Sequence, residues 1–356
     1  MGHAAIAESY AALLRKHGYE AIAVDVISHD HGRDIHGVIA LHFRALKTVP
    51  WAWRRLYRQW SAIPGSHWFK THLLPIRFRR TCELLMQSNP SLIVTTHPLA
   101  TAIVSFLKRR GAVNSQLFVA FFNWHLQAFW MFPKVDGYLV ATERQAQALV
   151  NYGIPRQTVA QVGILVDEWY YGEEDQMQYR RMIGVPEHDP SLLVMSGGTA
   201  WRMEDFVKVI CQLKCAATVY IVGVGDVLKP QLEFLIRNQL RGPVTVRLLG
   251  YTDARPYFRA VDAVLTKPGV SVAEGLAIGI PTILAFPVPG HDELALLELL
   301  ASEPVAALPA IGQPAFLEDM LTNASTWKRK ERNESRRFAR ECPHRVMEAI
   351  ERWADN

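Results

Sequence analysis

Two hydrophobic periods alternate along this chain. Short, nearly continuous apolar runs occur at Leu92–Thr95, Leu117–Phe122, Gly137–Ala141, Ser191–Met195, Thr218–Val222, Val244–Leu248, Ala263–Thr266 and Thr282–Ala285. Between them lie longer stretches with apolar residues at helical spacing, such as Ala4–His17, Pro98–Arg110 and Glu143–Tyr152. The runs predict strands and the stretches predict helices. A further strand is expected at Glu20–Val26, before a long basic helical region. Buried strands that alternate with amphipathic helices belong to doubly wound parallel sheets. The rhythm occurs twice, with a linker expected near Gln161–Asp167. Thr326–Trp353 is rich in Arg and Glu, lacks strand signals and reads as two helices.

Composition narrows the class. At 356 residues the chain has room for two domains, and 49% hydrophobic with 21% charged residues is a globular balance. The four cysteines (Cys82, Cys211, Cys215, Cys342) are too scattered for a disulfide scaffold. Cys211 and Cys215 are one helical turn apart without a second pair, so no metal site is expected. A reducing compartment fits this usage. No apolar run reaches the ~18 residues of a membrane-spanning helix. The N-terminus does not look like a signal peptide, because Glu8 interrupts an alanine-rich helix and no basic region precedes it.

Net charge is +5 but unevenly placed. From Asp34 to Glu83 no acidic residue intervenes, while nine Lys or Arg do, interleaved with aromatics. Trp51, Trp53, Arg54, Arg55, Arg58, Trp60 and Trp68 mark a surface suited to a lipid headgroup layer, with indole rings at the interface and guanidinium groups drawing anionic lipid. Two other readings stand beside it. One is a helix with a solvated basic face and a Trp-rich core face. The other is a nucleic-acid surface, for which the chain carries no recognised motif.

The chemistry concentrates in Thr266-Lys-Pro-Gly-Val-Ser-Val-Ala-Glu-Gly-Leu-Ala-Ile-Gly-Ile-Pro281 and in Pro287-Val-Pro-Gly-His-Asp-Glu293. The first stretch reads as strand, Gly turn, helix, Gly stop and strand; the second is a polar turn that opens another helix. A Gly turn before a helix N-terminus lets backbone N–H groups meet an anion in the favourable field of the helix dipole. Gly269 and Ser271 belong to that turn, and Glu274, one turn into the helix, is placed to accept hydrogen bonds from a ribose diol. Ser196-Gly197-Gly198-Thr199, Gly223 and Gly250-Tyr251 end three other strands. In open α/β sheets ligands bind at such carboxyl ends.

These segments resemble the nucleotide-sugar signature of GT-B glycosyltransferases, closest to the processive diacylglycerol glucosyltransferases and monogalactosyldiacylglycerol synthases. That family's pattern is near T-K-P-G-G-x-T-x-x-E-A-L-A-x-G-x-P, followed by P-x-P-G-Q-E-E-x-N. The resemblance covers most of the chain and implies a GT-B fold: an acceptor and membrane-docking Rossmann-like domain at 1–163, a nucleotide-sugar domain at 164–325 facing it across a cleft, and C-terminal helices at 326–356 that cross back. It implies UDP-sugar binding by Gly197, Gly198, Gly223, Tyr251, Gly269, Ser271 and Glu274. It implies sugar contacts from His291, Asp292 and Glu293. A hexose would pass to a diacylglycerol or glycolipid at the cytoplasmic face of a membrane, with no cofactor besides the donor, no metal and no nucleic-acid partner.

The chain also departs from the pattern. One glycine of the family pair after Lys-Pro is absent, Ser271 replaces Thr, and His291-Asp292-Glu293 replaces Q-E-E. Phe122-Asn123-Trp124-His125-Leu126-Gln127 aligns with T-D-F-H-x-H, so Asn123 stands where an Asp could act as base. His3, matching the last residue of a G-G-G-H turn, and His125 remain as candidate bases. His97, in a matching T-H-P, is expected to line the cleft or serve structure. The strand that would precede His3 is expected to be missing, through a late start of the reading frame or damage to the domain. Two other functions stay open: an inactive homologue that binds membrane or nucleotide-sugar, and another GT-B enzyme such as a UDP-sugar epimerase.

Overall fold

The computed structural model describes residues 2–31, 77–127, 130–173, 175–195, 197, 201–288, 292–303, 305–307, 314–323 and 334–354. The chain divides into two compact units. One comprises 1–167, 289–291 and 341–356, the other 168–288 and 292–340.

The first unit opens with α1 (Gly2–Lys16) and α2 (Val26–His31), then resumes at α3 (Arg79–Ser88). Four strands follow with their helices: β1 (Leu92–Thr95), α4 (Pro98–Arg109), β2 (Gln116–Ala120), β3 (Gly137–Val140), α5 (Glu143–Asn151) and β4 (Val159–Gln161). The sheet is parallel, in the order β1-β2-β3-β4. Strand β3 is buried along its whole length and β2 everywhere but its first residue, which is why both read as continuous apolar runs. Gln145 completes a capping box with Thr142 at the start of α5.

The expected strand at Glu20–Val26 does not form. Residues 21–25 are irregular, Ile22 is 77% exposed, and Val26 begins α2. A strand needs a neighbour for its N–H and C=O groups. Among the described residues β1 pairs only with β2, and residues 20–26 pair with no strand.

The second unit runs α6 (Gln176–Ile183), β5 (Ser191–Met195), α7 (Met203–Ile210), β6 (Ala217–Val222), α8 (Lys229–Gln239), β7 (Val244–Leu248), α9 (Arg255–Ala260) and β8 (Ala263–Thr266). It continues through α10 (Val270–Ile278), β9 (Thr282–Leu284), α11 (Asp292–Ser302), β10 (Ala306–Ala307), α12 (Pro314–Thr322) and α13 (Glu334–Arg340). All six strands are parallel, in the order β10-β9-β8-β5-β6-β7. The sheet therefore starts at its centre, builds outward through β6 and β7, then returns to build the other half. This is the doubly wound order with a switch point between β5 and β8. One face is filled by Leu192, Val194, Phe206, Val219, Ile221 and Leu265 with their neighbours. Helix α10 lies so close to β9 that a side chain at Gly275 would overlap the Thr282 hydroxyl. Its stop, Gly279, has φ +79°, the left-handed conformation that glycine adopts without strain.

The last helix, α14 (Cys342–Ala354), belongs to the first unit. Its Val346, Met347, Ile350 and Trp353 are buried, and Trp353 donates from Nε1 to the Gln157 carbonyl at 2.9 Å. Helix α13 stays with the second unit, where Arg340 donates to the Tyr171 carbonyl and to Glu173.

Candidate functional site

In the second unit the chemistry gathers at the switch point. Thr266 of β8 pairs beside Met195 of β5, so the turns that leave these strands are neighbours. Gly197 has φ +74°, and a Cβ built on it would lie 3.1 Å from Lys267 Cε. The Lys267 side chain thus runs along the Gly197 turn. Its Nζ donates to Asp292 Oδ2 at 3.1 Å. Asp292, the first residue of α11, is fully buried, and the same oxygen accepts from the Val288 N–H at 3.2 Å. Gly269 is the N-cap of α10 and brings no side-chain cap. An ammonium and a helix N-terminus with no side-chain cap therefore meet at the carboxyl ends of the two central strands, a setting that attracts phosphate oxygens.

The other candidate residues distribute around this point. Ser271 lies in the first turn of α10 and Glu274 one turn further, both half-buried. Gly223, at φ +81°, donates its N–H to the Gly250 carbonyl at 3.1 Å, which ties the turns after β6 and β7 together. Tyr251 is 62% exposed, with its ring edge over Gly225. Glu293 is half-buried in the first turn of α11. Gly198, His291 and the docking residues between 51 and 68 lie outside the described residues.

The family pattern assigns Asp292 to a sugar hydroxyl and marks no role for Lys267. The structure joins the two. It also places Arg202 and Phe286, both at positive φ (52° and 49°), against each other, with the guanidinium carbon 4.7 Å from the ring centroid. Arg202 donates to Asp205 at 2.6 Å. Burial raises the Asp205 carboxyl, but the hydrogen bond and charge of Arg202, with those of Lys208, outweigh it and hold the pKa below its usual value. A Lys adjacent to a Gly turn was the one sequence signal that could have flagged Lys267.

In the first unit the candidate base His3 lies in the first turn of α1, held at the carboxyl end of β1. Its Nδ1 is 2.7 Å from the Thr96 carbonyl, and Thr96 Oγ1 donates to the His3 carbonyl at 3.2 Å. A carbonyl can only accept, so Nδ1 carries the hydrogen and the basic nitrogen of the neutral ring is Nε2. The Phe122 ring meets His3 edge-on at 4.4 Å between centroids, and the His97 ring does so at 4.5 Å. His97 is itself the N-cap of α4 and accepts the Leu99 N–H on Nδ1 at 3.1 Å. His125 is half-buried in the loop that Phe122 begins. That loop is fastened to α5, because the Asn123 carbonyl accepts from Gln145 Nε2 at 2.7 Å.

Residues 3–166 match the monogalactosyldiacylglycerol (MGDG) synthase family. A processive diacylglycerol beta-glucosyltransferase of Bacillus pumilus is 24% identical over 297 residues, covering 82% of this chain and 76% of that protein. Its counterpart from Bacillus licheniformis is 26% identical over 219 residues, covering 60% of this chain and 56% of its own. The chain thus matches little more than half the length of that second relative. Among solved structures, Anabaena HepE in complex with UDP and glucose has a TM-score of 0.54 at 13% identity, covering 76% of this chain and 81% of the other. Among the described residues, no helix is long and apolar enough to cross a membrane.

Proposed function

We propose that this chain, which has the GT-B fold and whose residues 3–166 match the monogalactosyldiacylglycerol synthase family, transfers a hexose from a UDP-sugar to a diacylglycerol or glycolipid hydroxyl at a membrane surface. The observation that carries this reading is the switch point of the second sheet, where Lys267, Gly197 and the N-terminus of α10 converge.

The reaction is a direct displacement. The acceptor hydroxyl gives its proton to His3 Nε2 as its oxygen attacks the anomeric carbon. The bond from that carbon to the diphosphate oxygen breaks, and UDP leaves with the electron pair. The negative charge that grows on the diphosphate is met by Lys267 and by the first N–H groups of α10, donors fixed in place before the reaction begins. Glu274 holds the ribose, Tyr251 borders the base, and Ser271 and Glu293 flank the diphosphate and sugar. His125 is the second candidate for the base. No cofactor is required besides the donor. The Trp- and Arg-rich stretch 51–68 docks the protein on anionic lipid at the cytoplasmic face.

Calorimetric titration with UDP, UDP-glucose and UDP-galactose tests the reading. Micromolar UDP binding is expected, weakened by Glu274→Ala, and the preferred sugar nucleotide identifies the donor. Absence of binding to all three would overturn it. Binding without turnover on diacylglycerol vesicles would leave an inactive homologue instead.

A further inference from the structure

We propose that His97 is a positioning residue for His3: its ring, anchored as the N-cap of α4, holds the His3 imidazole in the tautomer and orientation that offer Nε2 to the acceptor. The inference rests on the reading of His3 as the base.

An N-cap side chain must accept a hydrogen bond from the first turn, and Asn, Asp, Ser or Thr does this well. His97 does it through Nδ1, with Leu99 N–H at 3.1 Å, and Pro98 follows at the first helical position. Capping alone needs no ring. The ring earns its place by what it touches: it meets the His3 ring at 4.5 Å between centroids, with planes inclined by 69°. Phe122 closes on the same ring at 4.4 Å and 87°. Edge-on packing of this kind fixes ring orientation as well as adding contact.

The two imidazoles are also fixed in opposite tautomers by backbone groups. His3 must carry its hydrogen on Nδ1, facing the Thr96 carbonyl at 2.7 Å. His97 must leave Nδ1 bare to accept from Leu99, so its neutral ring carries hydrogen on Nε2. Thr96 and His97 are consecutive, so the turn between β1 and α4 supplies both the carbonyl that sets the His3 tautomer and the ring that stops it rotating. A general base works only when its lone pair points at the proton it removes, and a small misplacement is expensive in rate.

Ring-nitrogen NMR of the full chain labelled with 15N-histidine tests this at a pH where both rings are neutral. In the wild type, His3 should show a protonated Nδ1 and a bare Nε2, and His97 the reverse. His97→Asn keeps the cap and removes the ring. It should leave thermal unfolding unchanged, shift the His3 signals toward a mixture of tautomers, and lower kcat roughly ten- to hundred-fold with KM for the sugar nucleotide unchanged. His97→Phe keeps the ring contact and removes the cap, so the His3 tautomer should survive while thermal stability falls. Wild-type His3 signals and kcat in His97→Asn, or loss of the tautomer only in His97→Phe, would overturn the proposal and reduce His97 to a helix cap. The NMR readout needs no turnover. An inactive wild-type chain would therefore sink the transferase reading while the spectra still decide the role of His97.

Discussion

Lys267 Nζ and Asp292 Oδ2 lie 3.1 Å apart, an ion pair whose carboxylate is fully buried while the ammonium keeps 22% of its side-chain exposure. The pair binds the turn after β8 to the start of α11 and leaves the ammonium at the switch point. Removing Lys267 takes the ammonium from a buried carboxylate that keeps the Val288 N–H. Lys267→Met should therefore destabilise the protein by about 3–5 kcal/mol, the usual cost of breaking a buried ion pair. The double variant Lys267→Met/Asp292→Leu should recover most of that loss in chemical denaturation but not the UDP affinity. Recovery of affinity as well would mean that Lys267 does not meet the diphosphate.

Trp353 covers Gly137 so closely that any β-carbon there would overlap the indole. The ring also lies 5.2 Å from the Phe118 ring, and Gln116 Nε2 donates to the Trp353 carbonyl at 2.9 Å. Gly137→Ala should push α14 off the sheet at a cost of about 1–3 kcal/mol. Thermal unfolding and protease release of the last helix would report it.

Arg180 is 3% exposed and locks the base of the second sheet. It donates to Asp262 Oδ2 at 3.1 Å, to Ser191 Oγ at 3.1 Å and to the Pro186 and Ala260 carbonyls. Arg180→Met should cost about 3–5 kcal/mol in denaturant unfolding without changing the fold's response to UDP at saturating ligand.

Glu303 introduces a pH dependence. Burial pushes its carboxyl up to about 7 from 4.5, against a hydrogen bond from Ser335 that lowers it. The folded-state pKa lies above the unfolded one, so this group's stabilisation is complete below pH 4.5 and is lost as pH rises through 7. Glu303→Gln should remove that slope. At pH 8 the variant should be more stable than the wild type by up to on the order of 3 kcal/mol, with the gap closing toward pH 4.5, as followed by urea unfolding at several pH values.

The strands of the second sheet were legible because a parallel strand buried on both faces is a continuous apolar run, as in Leu192–Val194 and Val264–Leu265. Gly197, Gly223 and Gly279 were legible as turns because positive φ calls for glycine. Strand β4 was missed: three residues ending in Gln161 make no pattern. Glu20–Val26 has the composition of a strand but pairs with none among the described residues.

The sequence by itself determined the class of the fold and the turns at the strand ends, since both follow from local periodicity and from glycine's own conformational freedom. Only the tertiary structure decided which polar groups share a site. Lys267 and Asp292 are 25 positions apart, and His3 and Thr96 are 93 apart. The first pair meets because β8 and β9 are neighbours in the sheet, and the second because α1 packs against the end of β1. Both are properties of the packed domain rather than of any local stretch of chain.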